Sequence, residues 1–233
     1  MDRRTMPTCN INKILSLGVG HGQLNLSEQT RNKFIEEIDR QHSLMNTEKR
    51  DAWTGDLNYF STLHKSNIFQ PLFNILGDCV KEYCNNIGTN PDFFDFNVVR
   101  SWGTKTLIGQ NIPSHSHSYA SIAVVYYPKV SQNSGGIVLE PKYNSNELIP
   151  NLMNPESYDQ NILNPNNQLS TGGVKMNPQN DCYIIFPAKT NHYTTPNANT
   201  EPRYSIAIDI VMTLKETKNI EYCLPPLKDW VAI

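Results

Sequence analysis

The chain has 233 residues, a length that suits one domain of generous size or two small ones. Its 20 basic and 22 acidic residues give a formal net charge of −2, so we expect neither nucleic acid nor a membrane surface as a partner. A hydrophobic fraction of 38% supplies enough apolar side chains for a core and excludes global disorder. No apolar run approaches the roughly 20 residues of a membrane-spanning helix.

The cysteines indicate a reducing compartment. Their number, five, is odd and no two form a C-x-x-C pair, which argues against a regular disulfide framework or a zinc ribbon. Cys79 and Cys84 fall in a helical pattern and Cys182 opens a strand-like run, where cysteine commonly serves as a small buried hydrophobic residue. The first residues lead into no signal-like apolar segment. We therefore expect a cytoplasmic protein.

The N-terminal third carries helix signals. Apolar residues over 14–20 indicate an edge strand, and Ser27 then offers an N-cap for a helix over about 28–42. Apolar residues at three- and four-residue steps predict a second, stronger helix over about 67–87, which Gly88 ends. The sequence thus predicts a layer of helices ahead of the strands.

After residue 90 the hydrophobic pattern changes from helical steps to alternation. A strand is predicted from Phe94 to about Gly103. Further candidates, rich in Ile, Val and Tyr, cover residues 118–127, 136–140, 181–186 and 203–214. Because helices and strands do not alternate along the chain, the pattern argues against a parallel Rossmann-type sheet. It favours an antiparallel sandwich or barrel buttressed by N-terminal helices.

Residues 141–170 interrupt this regularity, since the segment holds eight asparagines and shows no sustained period. A loop of this length in a compact domain is either disordered or functional, often as a lid over a site. We expect one domain over residues 1–233, with a helical buttress over about 1–90, a β-core over about 91–215 and this long loop or lid within the core.

Three of the six histidines, His115, His117 and His192, lie in the β-rich part of the chain. Side chains at positions i and i+2 of an extended segment point to the same face, so His115 and His117 can present two imidazoles to one point. His192 would add a third from a strand or strand end distant in sequence. Imidazole suits iron, zinc, copper or nickel. Alternatively, residues 114–118 form a polar surface loop whose histidines are solvated.

The motifs around the histidine pair follow one another in a distinctive order. They are the strand that ends in Val125-Tyr126-Tyr127, the Gly135-Gly136 turn, Phe186-Pro187 ahead of His192, and Arg203-Tyr204-Ser205. This succession resembles the iron(II)- and 2-oxoglutarate-dependent oxygenases with a double-stranded β-helix (jelly-roll) core, including the prolyl-hydroxylase-like members. It looks particularly like a bacterial and phage subgroup of these oxygenases that carries H-x-H. The resemblance covers roughly residues 67–212.

The resemblance implies a mainly β fold with N-terminal helices and a jelly-roll core, and it implies Fe(II), 2-oxoglutarate and dioxygen as cofactor and cosubstrates. His115 and His192 would fill the two histidine positions of the iron site. Arg203 would bind the distal carboxylate of 2-oxoglutarate with the two-pronged geometry that lysine lacks. Ser205 and Tyr127 would add hydroxyl groups at the same carboxylate.

The chain departs from the superfamily pattern at His117, where most members have Asp or Glu. A neutral imidazole in place of a carboxylate gives the site one more unit of positive charge, which should alter iron affinity. His117 is then a third ligand, or water takes that position, or the protein is a three-histidine cupin-like metalloenzyme that does not use 2-oxoglutarate. The retained Arg203 and Ser205 argue against the last. Glu140 and Asp209 are not at the ligand position, and we expect structural roles for both.

The resemblance implies a reaction in which 2-oxoglutarate is oxidatively decarboxylated to succinate and CO₂ while a second substrate is hydroxylated. Residues 141–170 would then shape the access of that substrate. The alternative class is a non-catalytic jelly-roll module, for binding or structure, with histidines at its surface.

Overall fold

The computed structural model describes residues 17–44, 61–140, 146–164, 167, 169–217 and 219–232. Helix α1 (Glu28–Ser43) begins where the Ser27 hydroxyl accepts a hydrogen bond from the Thr30 amide at 3.1 Å. Helix α2 (Gln70–Asn86) ends just ahead of Gly88, which has a φ of +87°. Both predicted helices are therefore confirmed. Within these ranges no helix has the length and apolarity needed to cross a bilayer.

The strands and one short helix follow in chain order. They are β1 (Gly20–Gln23), β2 (Phe94–Thr106), β3 (Ile122–Lys129), β4 (Ile137–Glu140), α3 (Pro155–Asp159), β5 (Val174–Met176), β6 (Cys182–Pro187), β7 (Asn191–Thr194) and β8 (Arg203–Leu214). Each predicted strand after residue 90 has a counterpart, and β8 has the predicted bounds. The mainly β architecture with N-terminal helices that the resemblance implies is confirmed.

Several expectations need correction. The strand predicted from residue 118 begins at Ile122, because residues 118 and 119 form a turn ahead of it. The edge strand predicted over 14–20 is displaced to β1, and the part of that prediction ahead of residue 17 lies outside the described residues. The same holds for residues 1–16 and 45–60 of the helical buttress. Strands β5 and β7 were not predicted, since three or four residues are too few to show alternation.

Two antiparallel sheets form the core. The five-stranded sheet has the order β1-β6-β3-β8-β2, and the three-stranded sheet has the order β5-β4-β7. Side chains from both sheets, such as Ala207 of β8 and Ile137 of β4, line one cavity between them. We refer to this space as the central cavity.

The helices cover the opposite face of the five-stranded sheet. Phe34 of α1 stacks on Phe69 with ring centroids 5.0 Å apart and meets Tyr126 of β3 edge-on at 6.4 Å. Ile206 and Ile208 of β8 belong to the same buried cluster. Because strand side chains alternate, this packing fixes which residues of β8 face the central cavity.

Gly103 of β2 provides a test of the packing between α1 and the sheet. A Cβ at this position would lie 3.0 Å from Cδ1 of the fully buried Ile38 and closer still to its Cγ1. We expect Gly103→Ala to lower the free energy of unfolding by about 1–3 kcal/mol, as overpacked cores do. Urea denaturation measures this change.

Gly77 is the matched control, because it lies in α2 and a Cβ there meets nothing within 4 Å. Gly77→Ala should raise the free energy of unfolding by roughly 0.5–1 kcal/mol, since alanine loses less backbone freedom in a helix. Equal effects of the two substitutions would contradict the described contact between α1 and β2.

Candidate metal and cosubstrate site

Strand β8 forms the long wall of the central cavity. Its cavity-facing residues, which we call the inward row of β8, are Arg203, Ser205, Ala207 and Asp209. At the rise of an extended chain, Arg203 and Asp209 are about 20 Å apart along the strand, so the row has two separate polar ends. The row continues across the sheet, since Ala123 of β3 pairs with Asp209.

Three histidines meet near the Asp209 end of this row. His115 and His192 pair through their main chains, with N–O distances of 3.0 and 2.9 Å, although they are 77 positions apart in sequence. The His117 amide donates to the Ala188 carbonyl at 2.9 Å, which anchors the second residue of the pair. One ligand atom from each imidazole lies within 4.8 Å of the others. The structure therefore brings together all three histidines singled out in the sequence.

Main-chain carbonyls set the tautomers of two of these rings. Nδ1 of His115 donates to the Pro113 carbonyl at 2.8 Å, and Nδ1 of His192 donates to the Thr190 carbonyl at 2.9 Å. A carbonyl oxygen only accepts, so the proton of each neutral ring is on Nδ1 and the lone pair is on Nε2. This is the arrangement that second-shell contacts commonly impose on metal-binding histidines.

Burial keeps the imidazoles of His115 and His192 neutral. Loss of hydration lowers the pKa of His192 to about 4, and burial lowers the pKa of His115 as well. Histidine must be deprotonated to coordinate a metal, and at neutral pH both residues meet that condition.

The third histidine faces a carboxylate rather than a carbonyl. Nδ1 of His117 is 3.0 Å from Oδ1 of Asp209, a side chain that is only 1% exposed. This oxygen accepts no hydrogen bond from the described residues, so its contact with His117 is electrostatic. The other oxygen, Oδ2, accepts a short hydrogen bond from the Tyr119 hydroxyl, which in turn accepts one from Nη1 of Arg100 at 2.6 Å. The Arg100 guanidinium lies 4.9 Å from the centre of the Trp102 ring.

Sequence reasoning gave Asp209 only a structural role and did not single out Tyr119 or Arg100. A signal for Asp209 was present, because it is an even number of positions from Arg203 on a predicted strand and must share its face. No comparable signal placed Tyr119, which lies in the turn before β3. Glu140 accepts a hydrogen bond from the Ser114 hydroxyl at 2.5 Å, next to His115 in sequence.

The other end of the inward row holds the predicted cosubstrate residues. Arg203 is 1% exposed, and its Nη1 donates to the Ser134 carbonyl at 2.7 Å. Its Nε is buried and has no hydrogen-bond partner among the described residues. Tyr127 and Ser205 are buried in the same cavity, and the charge of Arg203 opposes the rise that burial causes in the pKa of Tyr127. A buried donor without an acceptor fits a cavity that receives an anionic oxygen from a ligand.

The glycine pair of the predicted turn lets the chain pass close to Arg203. Gly135 has a φ of +82°, and a Cβ there would lie 2.7 Å from Nη1 of Arg203 and 2.8 Å from the Pro196 carbonyl oxygen. A Cβ on Gly136 would lie 2.9 Å from Oδ1 of Asn177. Glycine at both positions is therefore a steric requirement of the wall that holds the guanidinium.

The part of the chain that carries this site matches a known protein family. A family model described as "Putative 2OG-Fe(II) oxygenase" matches residues 100–209, the stretch that carries the three histidines, Arg203 and Asp209. Over this stretch the chain is similar to the 2OG-Fe(II) oxygenases. That similarity implies Fe(II) as a cofactor and 2-oxoglutarate as a cosubstrate.

Two solved structures share the fold of this chain at low sequence identity, and a third matches it over a shorter part. A Pseudomonas putida prolyl-4-hydroxylase is 10% identical over 84% of this chain and 88% of its own, with a TM-score of 0.50. The alpha-ketoglutarate-dependent carbocyclase SnoK from nogalamycin biosynthesis is 9% identical over 91% and 89%, with a TM-score of 0.56. An oxidoreductase of this family from Burkholderia pseudomallei is 13% identical over 62% of this chain, which spans 58% of that protein (TM-score 0.43). No curated protein sequence matches the chain significantly.

The donors in the central cavity fit both groups of a 2OG-Fe(II) oxygenase. Three imidazole nitrogens suit an ion of intermediate softness such as Fe(II). At the far end, the guanidinium, whose Nε has no partner among the described residues, offers the charge and the hydrogen bond that a carboxylate requires. The fold thus holds three imidazoles and one guanidinium at opposite ends of one cavity.

The lowered pKa of His192 predicts how the metal-free protein responds to acid. The unfolded chain takes up a proton near pH 6.5, whereas folded His192 does so only near pH 4. The free energy of unfolding should therefore fall as the pH drops from 6.5 to 4, by at most about 1.4 kcal/mol per pH unit for this group. Urea denaturation at several pH values, with a chelator present, measures the slope.

The variant His192→Asn should show a shallower slope over the same range, because it removes this buried group. The matched control is His21→Asn, since His21 is exposed on β1 outside the cavity. A wild-type slope retained by His192→Asn would contradict the burial of a neutral imidazole at this position.

Proposed function

We propose that the protein is an oxygenase in which His115, His117 and His192 bind Fe(II), while Arg203, Tyr127 and Ser205 bind the distal carboxylate of 2-oxoglutarate. The observation that carries this proposal is the placement of three clustered imidazoles and one buried arginine at two ends of a single cavity. When bound, iron and 2-oxoglutarate supply dioxygen activation. With both bound, one oxygen atom would enter succinate as CO₂ leaves, and the other would enter a C–H bond of the substrate as a hydroxyl group.

The residues of this chain position and protect the reactants. Arg203 would neutralise the distal carboxylate and fix the depth at which 2-oxoglutarate binds, because its guanidinium is already held by the Ser134 carbonyl. Apolar side chains, Ala123, Val125 and Ile137, line the cavity between the two polar ends. Such walls exclude water from the space where the oxidant forms.

His117 is the third ligand in this proposal. Its ring is 5.1 Å from the His115 ring and 5.2 Å from the His192 ring, centroid to centroid, so it lies within the cluster rather than turned away. A protein that did not use 2-oxoglutarate would leave the buried Nε of Arg203 without a purpose. Both observations support the three-histidine, 2-oxoglutarate-dependent interpretation over its alternatives.

Hydroxylation is the proposed outcome, and residues 141–170 are proposed to shape substrate access. The segment leaves β4 at Glu140, whose carboxylate contacts Ser114 beside His115. In its described part Leu148 is 88% exposed and Ile149 is 61% exposed, which leaves two apolar side chains available to a substrate. Residues 141–145, 165, 166 and 168 of the proposed lid lie outside the described residues.

Two broader predictions complete the proposal. We propose a single domain over residues 1–233, supported by the packing of α1 and α2 against the five-stranded sheet. We also propose a cytoplasmic location without a nucleic-acid partner. A net charge of −2 and the free thiols of Cys79, Cys84, Cys182 and Cys223 support that assignment.

Anaerobic addition of Fe(II) and 2-oxoglutarate tests the proposed function. The wild-type protein should develop the weak visible charge-transfer band of the iron chelate, and titration of the band gives the affinity for 2-oxoglutarate. Arg203→Lys keeps the charge but loses the two-pronged geometry. It should weaken that affinity about 10- to 100-fold, the loss expected for a hydrogen bond to a charged group.

The matched control is Arg31→Lys. Arg31 is a partly buried arginine that donates to the main-chain carbonyls of Leu26 and Pro128, away from the cavity. The Arg31→Lys variant should bind 2-oxoglutarate with the affinity of the wild type. No band from iron-loaded wild-type protein, or a band that Arg203→Ala leaves unchanged, would favour a non-catalytic module or a cupin-like enzyme. Succinate formed without added substrate would oppose both of those alternatives.

A further inference from the structure

Asp209 is a buried carboxylate beside a residue that replaces the usual ligand carboxylate. We propose that Asp209 is a positioning residue that holds the imidazole of His117. From behind that imidazole, and without touching the metal, its carboxylate supplies the negative charge that the three histidine ligands lack. This inference rests on the proposed function, in which His117 binds the metal.

The two oxygens of the Asp209 carboxylate contact His117 and Tyr119. Its Oδ1 lies 3.0 Å from Nδ1 of His117, and its Oδ2 accepts the Tyr119 hydroxyl. A proton on the ring nitrogen that faces the carboxylate would make this contact attractive and would put the lone pair of His117 on Nε2. That is the same nitrogen as in His115 and His192, whose Nδ1 atoms donate to carbonyls. With His117 in that tautomer, all three rings carry the lone pair on Nε2.

Charge distinguishes Asp209 from those two carbonyl acceptors. A 1% exposed carboxylate is costly unless a positive charge lies nearby. The adjacent cation, Arg100, reaches it only through the Tyr119 hydroxyl. A metal held by His117 would supply the missing positive charge. With Fe(II) and doubly negative 2-oxoglutarate, neutral histidines give a net charge of zero, and Asp209 makes it −1, as a ligand carboxylate would.

Asp181 shows what a comparable carboxylate does without a histidine. It is also buried, and its Oδ1 accepts the Tyr126 hydroxyl at 2.7 Å, as Asp209 accepts Tyr119. Its Oδ2, however, accepts the main-chain amide of Leu26. Asp181 is satisfied by neutral donors alone and contributes to packing outside the cavity. A comparison of Asp209 with Asp181 therefore separates the effect of a buried Asp–Tyr contact from the effect of a neighbouring histidine that binds metal.

The experiment measures Co(II) binding to the metal-free protein at one pH by visible absorbance. Asp209→Asn keeps the shape of the side chain and removes its charge. It should weaken Co(II) binding about 10- to 100-fold, the usual effect of changing a second-shell partner. Asp181→Asn should lower the thermal midpoint of the metal-free protein but leave Co(II) affinity unchanged. Wild-type affinity in Asp209→Asn, or an equal loss in Asp181→Asn, would overturn the proposal.

A second pair of variants keeps the test decisive if Asp209→Asn also affects folding. In a His117→Asp background the ligand itself carries the negative charge, and Asp209 becomes a like charge close to it. Adding Asp209→Asn should then weaken Co(II) binding less than it does when His117 is present, because the ligand already supplies the negative charge. A purely structural role for Asp209 predicts the same loss in both backgrounds, and that result would contradict the inference.

The failure of the proposed function gives a different result. If the wild-type protein binds no Co(II), or if His117→Ala binds it as tightly as the wild type does, the assigned ligand set is wrong and the role of Asp209 falls with it. If His117→Ala loses affinity while Asp209→Asn does not, the ligand set stands and only the inference about Asp209 fails.

Discussion

Strand β8 occupies the position on which the rest of the molecule depends. It pairs with β2 on one side and with β3 on the other, and its pairing with β3 is continuous from Ile206 to Ile210. Its alternation then divides two tasks between neighbouring residues. Ile206 and Ile208 pack against the helical layer, whereas Arg203 and Asp209 face the central cavity. A shift of one residue in the register would exchange the apolar and polar faces and remove both the core and the site.

Main-chain pairing between β7 and the segment ahead of β3 assembles the histidine end of the cavity. The main chains of His115 and His192 exchange two hydrogen bonds, so the closeness of their rings follows from the jelly-roll closure and does not require the side chains to attract one another. Like-charged imidazolium ions would repel at such distances. Burial avoids this repulsion because it keeps the rings neutral.

Much of this arrangement could be predicted from local sequence patterns. The bounds of β8 follow from a run rich in Ile, Val and Tyr, and α1 follows from its Ser27 cap and apolar stripe. The meeting of His115 with His192 depends on topology, and the sequence indicated it only through resemblance. Strand β7 is four residues long and was missed because so short a segment shows no period. The contact between Asp209 and His117 joins a strand to a turn, and no periodic pattern reports such a contact.

Ligand binding at Arg203 would also change how much of the protein stays folded in the cell. A desolvated guanidinium with a donor unused makes the ligand-free fold less stable than its apolar core alone would allow. A dicarboxylate bound there as proposed would supply the missing acceptor, and saturation at a hundred times its dissociation constant would add about 2.7 kcal/mol of stability by mass action. Cellular levels of the cosubstrate would then act on the lifetime of the chain against proteolysis as well as on its rate of turnover.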